Sequence, residues 1–141
     1  MPIRLQLSET RYVVVSLPPS QFVAALDAAR AAPEFLSIIR DEKEVTLILA
    51  REHWLGIAAQ FPAARAQDNW RMIYFDTVMD FNVVGFIAEI SRALAREGIS
   101  ILTVSTYSTD MVLVSENRYE DAVAAVKRAL IAFTHTHLSQ H

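Results

Sequence analysis

The feature that most constrains this chain is an internal repeat. Phe35-Leu36-Ser37-Ile38-Ile39 slides without gaps onto Ile101-Leu102-Thr103-Val104-Ser105. The same shift lays Val45-Thr46-Leu47-Ile48-Leu49 on Met111-Val112-Leu113-Val114-Ser115, Glu44 on Asp110 and Arg51 on Asn117. Apolar meets apolar at nearly every strand position, and an acid opens the later strand of each pair. Self-similarity of this kind is the mark of one supersecondary unit used twice. The remaining elements must then fall in the same order in both halves.

They do. In the first half, residues 12–17 are β-branched and aromatic and stop at Pro18-Pro19, which predicts a strand. Ser20 is placed to cap a helix whose Phe22, Ala25, Leu26 and Ala29 recur at helical spacing before Pro33. Residues 35–39 and 45–49 read as a hairpin across Arg40-Asp41-Glu42-Lys43-Glu44. A short helix fits 51–61 before Pro62, and the small, polar stretch 63–69 is the best linker. In the second half, 72–78 predicts a strand and 79–82 a turn. Val84, Ile87, Ile90 and Leu94 then mark one helical face, with Glu89, Arg92 and Arg96 opposite. Gly98 stands where a left-handed helix terminus is wanted. Strands at 101–105 and 111–115 flank Thr106-Tyr107-Ser108-Thr109-Asp110. Asn117 with Glu120 resembles a capping box, and Tyr119, Val123, Val126, Leu130 and Phe133 give a helical stripe.

Each half is thus a βαββα unit, and two such units predict an α+β fold with helices on one face of antiparallel sheet. A ferredoxin-like unit needs one further strand per half. Residues 3–7 and 132–137 are the uncommitted segments, and the N-terminal strand is expected to complete the sheet of the other half.

Composition narrows the function. At 141 residues, 52% hydrophobic and 21% charged, the chain has material for one ordinary domain or two very small ones. Thirteen Lys and Arg against 16 Asp and Glu, a net charge of -3, argue against a basic face for nucleic acid. No apolar run approaches the roughly 20 residues that cross a bilayer, and the start lacks the layout of a secretion signal. With zero cysteines there is no disulfide, thiolate metal site or thiol catalysis. The expectation is a soluble, cytoplasmic protein that engages neither nucleic acid nor membrane.

Catalytic sets are hard to assemble. The histidines are His53 and the terminal His135, His137 and His141. The last three sit in a polar segment without an acidic or thiolate neighbour, so a solvated tail is favoured over a metal site. Asp41, Glu42 and Glu44 read as a solvated turn. Gly56, Gly85 and Gly98 are isolated, so no phosphate-cradling loop exists. No catalytic residues, metal or cofactor are expected, and the chain is read as not an enzyme.

One constellation stands apart. Asn82-Val83-Val84-Gly85-Phe86 leads from a strand into a helix, where free backbone N–H groups and the positive helix end gather, an arrangement suited to a small carboxylate. Gly85 permits close approach of backbone or ligand. Ser105, Thr106, Tyr107, Ser108, Thr109 and Asp110 then form a dense set of short donors and acceptors, and Asp110 is placed to meet an ammonium or guanidinium. A free amino acid needs both ends together. The plainer alternative is that Ser and Thr decorate a turn while Asp110 caps a strand edge.

The runs Asp80-Phe81-Asn82-Val83-Val84-Gly85-Phe86-Ile87, Leu94-Ala95-Arg96-Glu97-Gly98-Ile99-Ser100-Ile101 and Ser105-Thr106-Tyr107-Ser108-Thr109-Asp110 resemble the ACT domain, in particular those of aspartate kinases and of tandem-ACT arginine sensors. The resemblance covers roughly 71–130 and is weaker in the first half, where the turn keeps only the acid. It implies two ferredoxin-like (βαββαβ) units, a degenerate N-terminal one over 1–65 and a C-terminal one over 66–141, paired through sheet edges. It also implies a small-molecule ligand, usually an amino acid, at the unit interface. Val83, Val84 and Gly85 would hold one part of that ligand, and Thr106, Tyr107 and Asp110 another, with Asn82 and Val84 tuning the fit. The family has no chemistry of its own. The expected function is therefore a non-catalytic regulatory protein sensing an amino acid, working as a homodimer. The alternative is a ligand-free interaction module of the same fold that docks on a partner enzyme.

Overall fold

The computed structural model describes residues 3–76 and 85–137. The fold is α+β: β1 (Leu5–Leu17), α1 (Phe22–Ala29), β2 (Ser37–Arg40), β3 (Val45–Ala50), α2 (Arg51–Ile57), β4 (Arg65–Phe75), α3 (Phe86–Arg96), β5 (Ile101–Ser105), β6 (Asp110–Ser115) and α4 (Tyr119–His137). The strands are hydrogen-bonded in the order β2-β3-β1-β4-β6-β5. β1 pairs antiparallel with β3 from Tyr12 opposite Ala50 to Leu17 opposite Val45. β2 likewise pairs with β3, and β5 with β6.

Two compact units emerge, Thr10–Trp70 and Met1–Glu9 with Arg71–His141. The second confirms the expectation that the N-terminal strand completes the C-terminal half. There the Asp76 N–H donates to the Arg4 carbonyl at 2.7 Å. The Arg71 guanidinium donates to the Ser8 carbonyl through Nε at 3.2 Å and Nη2 at 2.7 Å. It also stacks 3.9 Å from the Tyr119 ring centroid, a cation–π contact. The core of this unit joins Ile73 and Phe75 of β4, Ile90 and Leu94 of α3, Val112 and Val114 of β6, and Val126 and Leu130 of α4, with Leu5 packed against it. Phe75, Phe86 and Phe133 form an edge-to-face chain, at 5.0 Å for the first pair and 5.5 Å for the second.

In the unit Thr10–Trp70 the core is built by Val13, Val15 and Leu17 of β1, Ala25 and Ala29 of α1, Val45, Leu47 and Leu49 of β3, and Trp54 and Ile57 of α2. The period-two spacing in the strands and the i, i+3, i+4 spacing in the helices are those the sequence advertises. Trp54 stacks on Phe61, the rings 6.2 Å apart. Tyr12 is buried, and its hydroxyl donates to Glu34 Oε2 at 3.2 Å. The Thr10 hydroxyl donates to the same oxygen at 2.7 Å.

Several local expectations need correction. Residues 65–69, read as linker, belong to β4. They are exposed and polar, so they carry no apolar alternation, and backbone pairing alone makes them a strand. Asn69 takes a left-handed conformation there, φ 63°, which its short amide tolerates. Ser20 does not cap α1. It lies in a 3-10 turn, Pro19–Gln21, that precedes the helix. The capping box is also absent: Asn117 lies in a second 3-10 turn, Glu116–Arg118, and its side chain accepts the Ser115 hydroxyl at 2.7 Å. Leu26, placed on the buried face of α1, is 43% exposed. Residues 132–137 are neither strand nor tail but the end of α4; His141 lies outside the described residues. Gly98 is left-handed as expected, φ 70°, and Ile99 N–H returns to the Leu94 carbonyl at 3.0 Å.

Two outcomes follow for stability. Phe75→Ala removes a fully buried ring from the aromatic chain and should cost about 3–5 kcal/mol in urea unfolding; a loss below about 1 kcal/mol would contradict the packing described. Burial, and then the Glu34 carboxylate, push the Tyr12 phenol up from 10.0 to about 12. The fold favours the neutral phenol, so this contribution is complete below about pH 10 and is lost as pH rises toward the folded value, because the unfolded chain gives up its proton first. Tyr12→Phe should flatten the alkaline limb of the stability profile. An alkaline limb of unchanged slope would remove Tyr12 as its source.

Candidate functional site

The site is built at one end of the unit containing Arg71–His141. Strand β4 runs toward this end through Tyr74 and Phe75, and α3 begins there with Gly85 and Phe86. The Phe86 ring is anchored on Phe75. The turn between β5 and β6 reaches the same end, because the Tyr74 hydroxyl and Thr109 Oγ1 are hydrogen-bonded at 3.2 Å. The start of α3 and the β5–β6 turn are thus each tied to the end of β4, the first through Phe75 and the second through Tyr74.

Gly85 has φ 88° and ψ 4° at the cap of α3, a left-handed conformation that favours glycine. A Cβ there would meet nothing within 4 Å among the described residues. The backbone conformation by itself favours glycine at this position. Its carbonyl accepts the Glu89 N–H at 3.0 Å, the first bond of the helix. The N–H groups of Phe86, Ile87 and Ala88 precede that bond, at the positive end of an 11-residue helix. Asn82, Val83 and Val84 lie outside the described residues.

The β5–β6 turn is internally bonded. Ser105 Oγ donates to Asp110 Oδ1. Thr106 N–H donates to the Thr109 carbonyl at 2.9 Å, and the two threonine hydroxyls meet at 2.7 Å. Thr109 N–H donates in turn to Thr106 Oγ1 at 3.2 Å. These bonds hold the turn and Asp110 in place, and among the described residues Oδ2 is left for another donor. Tyr107 stands out from the turn, 85% exposed. A carboxylate held by a hydroxyl can take an ammonium, and a helix start rich in donors can take a carboxylate.

Sequence reasoning missed Tyr74, which ties the turn to β4, and the Arg71–Tyr119 stack. Each depends on residues far apart in the chain. The cue for Tyr74 was its place one residue before the strand's last buried aromatic. Among the described residues no group of three or more His, Asp or Glu is placed to hold a metal ion, and no helix is long and apolar enough to cross a membrane.

A comparison with the curated proteins finds no match. Among solved structures, a protein from Agobacterium tumefaciens is similar at TM-score 0.75 and 23% identity, over 92% of this chain and 90% of that one. The ligand-free regulatory subunit of aspartate kinase from Thermus thermophilus is similar at TM-score 0.66 and 13% identity, over 92% of this chain and 99% of that one. A putative C-terminal regulatory domain of aspartate kinase from Porphyromonas gingivalis gives TM-score 0.65 and 16% identity, over 91% and 96%. At these identities the likeness is one of fold. Residues 65–128 match the family model of the ACT domain, a span that contains Gly85, the β5–β6 turn and Asp110.

Proposed function

We propose that the chain is a non-catalytic regulatory protein that binds a free amino acid at the Gly85 and Asp110 end of its C-terminal unit. The observation that carries this reading is the hydroxyl-held Asp110 carboxylate at the same end as the left-handed start of α3. In this reading the ligand carboxylate takes the first N–H groups of α3, and the segment Asn82-Val83-Val84 lines that half of the site. The ammonium takes Asp110, with Ser105, Thr106 and Tyr107 around it. The ACT match and the likeness to regulatory parts of aspartate kinases support the same role. The unit Thr10–Trp70, with its strand–helix–strand–strand–helix–strand order, is read as a second, degenerate ACT-like domain. Val23, Leu26 and Leu55, exposed on α1 and α2, support pairing with a second copy. Ligand binding then stabilises the competent state by mass action and shifts what the protein docks on.

One observation favours a second reading. Thr106 and Thr109 satisfy each other, and Ser105 occupies one oxygen of Asp110, as in a turn held by its own side chains. On that reading the chain is an interaction module that docks on a partner enzyme without a ligand.

A thermal-shift screen of the full chain against the twenty amino acids separates the two. A ligand at 100 times its Kd adds about 2.7 kcal/mol, a rise of several degrees. Asp110→Ala should abolish that rise while costing only about 0.5–1.5 kcal/mol of ligand-free stability, the worth of one hydrogen bond. A flat screen with the wild type would favour the interaction module. A rise undiminished in a folded Asp110→Ala chain would remove Asp110 from the site.

A further inference from the structure

Strand β4 ends in two aromatic side chains that leave it by opposite faces, as successive residues of a strand do. Phe75 joins the core formed with α3 and α4. Tyr74 therefore lies on the face turned away from those helices, and it is half-buried there. The same alternation sorts the β5–β6 turn. Val112 and Val114 of β6 belong to the helix-side core, so Asp110, two residues before Val112, stands on the helix side. Ser105, its cross-strand partner, shares that side and donates to it. Thr109 comes one residue earlier, and its Oγ1 meets the Tyr74 hydroxyl at 3.2 Å. The same Oγ1 meets Thr106 Oγ1 at 2.7 Å, while the Thr109 carbonyl accepts the Thr106 N–H at 2.9 Å. One phenol thus reaches both ends of the turn through Thr109, from the face opposite to that of Asp110.

We infer that Tyr74 is the positioning residue of the Asp110 site. This role rests on the reading in which Asp110 takes the ammonium of an amino acid. The hydroxyl does not touch that ligand. It stands behind the turn and fixes Thr109, and with it the peptide that leads into Asp110. The bonds inside the turn close it on itself, whereas the Tyr74 bond ties it to the neighbouring strand β4. A carboxylate held in place before the ligand arrives spares the ordering cost that binding would otherwise carry. Loss of the hydroxyl then weakens the ammonium end. The carboxylate end, at the start of α3, keeps its anchor, because Phe86 still packs on Phe75.

Amide NMR of the full chain tests this with two probes. Glycine carries both charged ends and no side chain to be excluded, and acetate lacks the amine. In the wild type glycine should shift Phe86 to Ala88 together with Thr106 to Asp110, and acetate Phe86 to Ala88 alone. Tyr74→Phe should weaken glycine by about twofold to tenfold, the worth of one hydrogen bond, and leave the acetate shifts unchanged. Thr109→Val removes the other partner of the bond and should weaken glycine at least as much. Adding Tyr74→Phe to it should change nothing further, since the two side chains act as one. Unshifted Val126 and Leu130 amides report that the variants remain folded. Equal weakening of glycine and acetate would overturn the proposal, because it marks a general loosening of the unit, and so would additive losses in the double variant. A glycine response lost in Asp110→Ala but undiminished in Tyr74→Phe would overturn the role of Tyr74 alone. No glycine response in the wild type would overturn the Asp110 reading and this role with it.

Discussion

The structure depends on β1 serving two cores with one strand. Its first residue, Leu5, packs on the core that holds Ile73, Phe75 and the α3 and α4 faces, while Val13, Val15 and Leu17 pack with α1, α2 and β3. Neither core is complete without it, because a sheet that lacks a strand exposes both apolar area and a row of unpaired N–H and C=O groups. Polar contacts fix its register in both places. Arg71 holds the Ser8 carbonyl, and Glu34 accepts from Thr10 and Tyr12. Burial of alternate side chains makes a one-residue slip costly throughout, since every apolar group would change face.

That scaffold leaves the chain ends of strands and starts of helices to carry function. In the C-terminal unit the last residues of β4 bind the neighbouring turn through Tyr74 and anchor the start of α3 through Phe75. A rigid aromatic chain, Phe75 to Phe86 to Phe133, thus sets where the α3 N–H groups point. Charges elsewhere on this unit are spent on its surface, as in the pairs Arg92–Glu89 at 3.3 Å and Arg128–Glu97 at 3.5 Å, exposed and of small energetic worth. The carboxylate to which we assign a ligand is the one that a hydroxyl holds at the turn, Asp110.

Much of this was legible in the sequence. The repeat located both hairpins, counting strands placed the N-terminal segment in the C-terminal half, and Gly98 marked a left-handed helix end. Elements without a periodic apolar signal were not legible. Residues 65–69 are a strand because their backbone has a partner, and nothing in Arg65-Ala66-Gln67-Asp68-Asn69 announces it. The entries to α1 and α4 are 3-10 turns, where Ser20 and Asn117 sit one residue ahead of the cap position. Leu26 fits the helical period yet faces solvent, since the period gives a stripe and not which neighbour covers it. In the site, residue types at Gly85, Ser105 and Asp110 could be read from the chain. The bond from Tyr74 to Thr109, which ties the β5–β6 turn to β4, joins residues 35 apart and is a property of the folded sheet.

The central claim, that an amino acid bridges the start of α3 and the β5–β6 turn, is tested most directly by hydrogen exchange of the full chain with and without a saturating amino acid. Exchange reads the backbone N–H groups to which the site is assigned. The account predicts slowed exchange at Phe86, Ile87 and Ala88 together with Thr106 to Asp110, in one ligand-dependent step. Slowing at neither segment, or at the turn without the helix start, would contradict it.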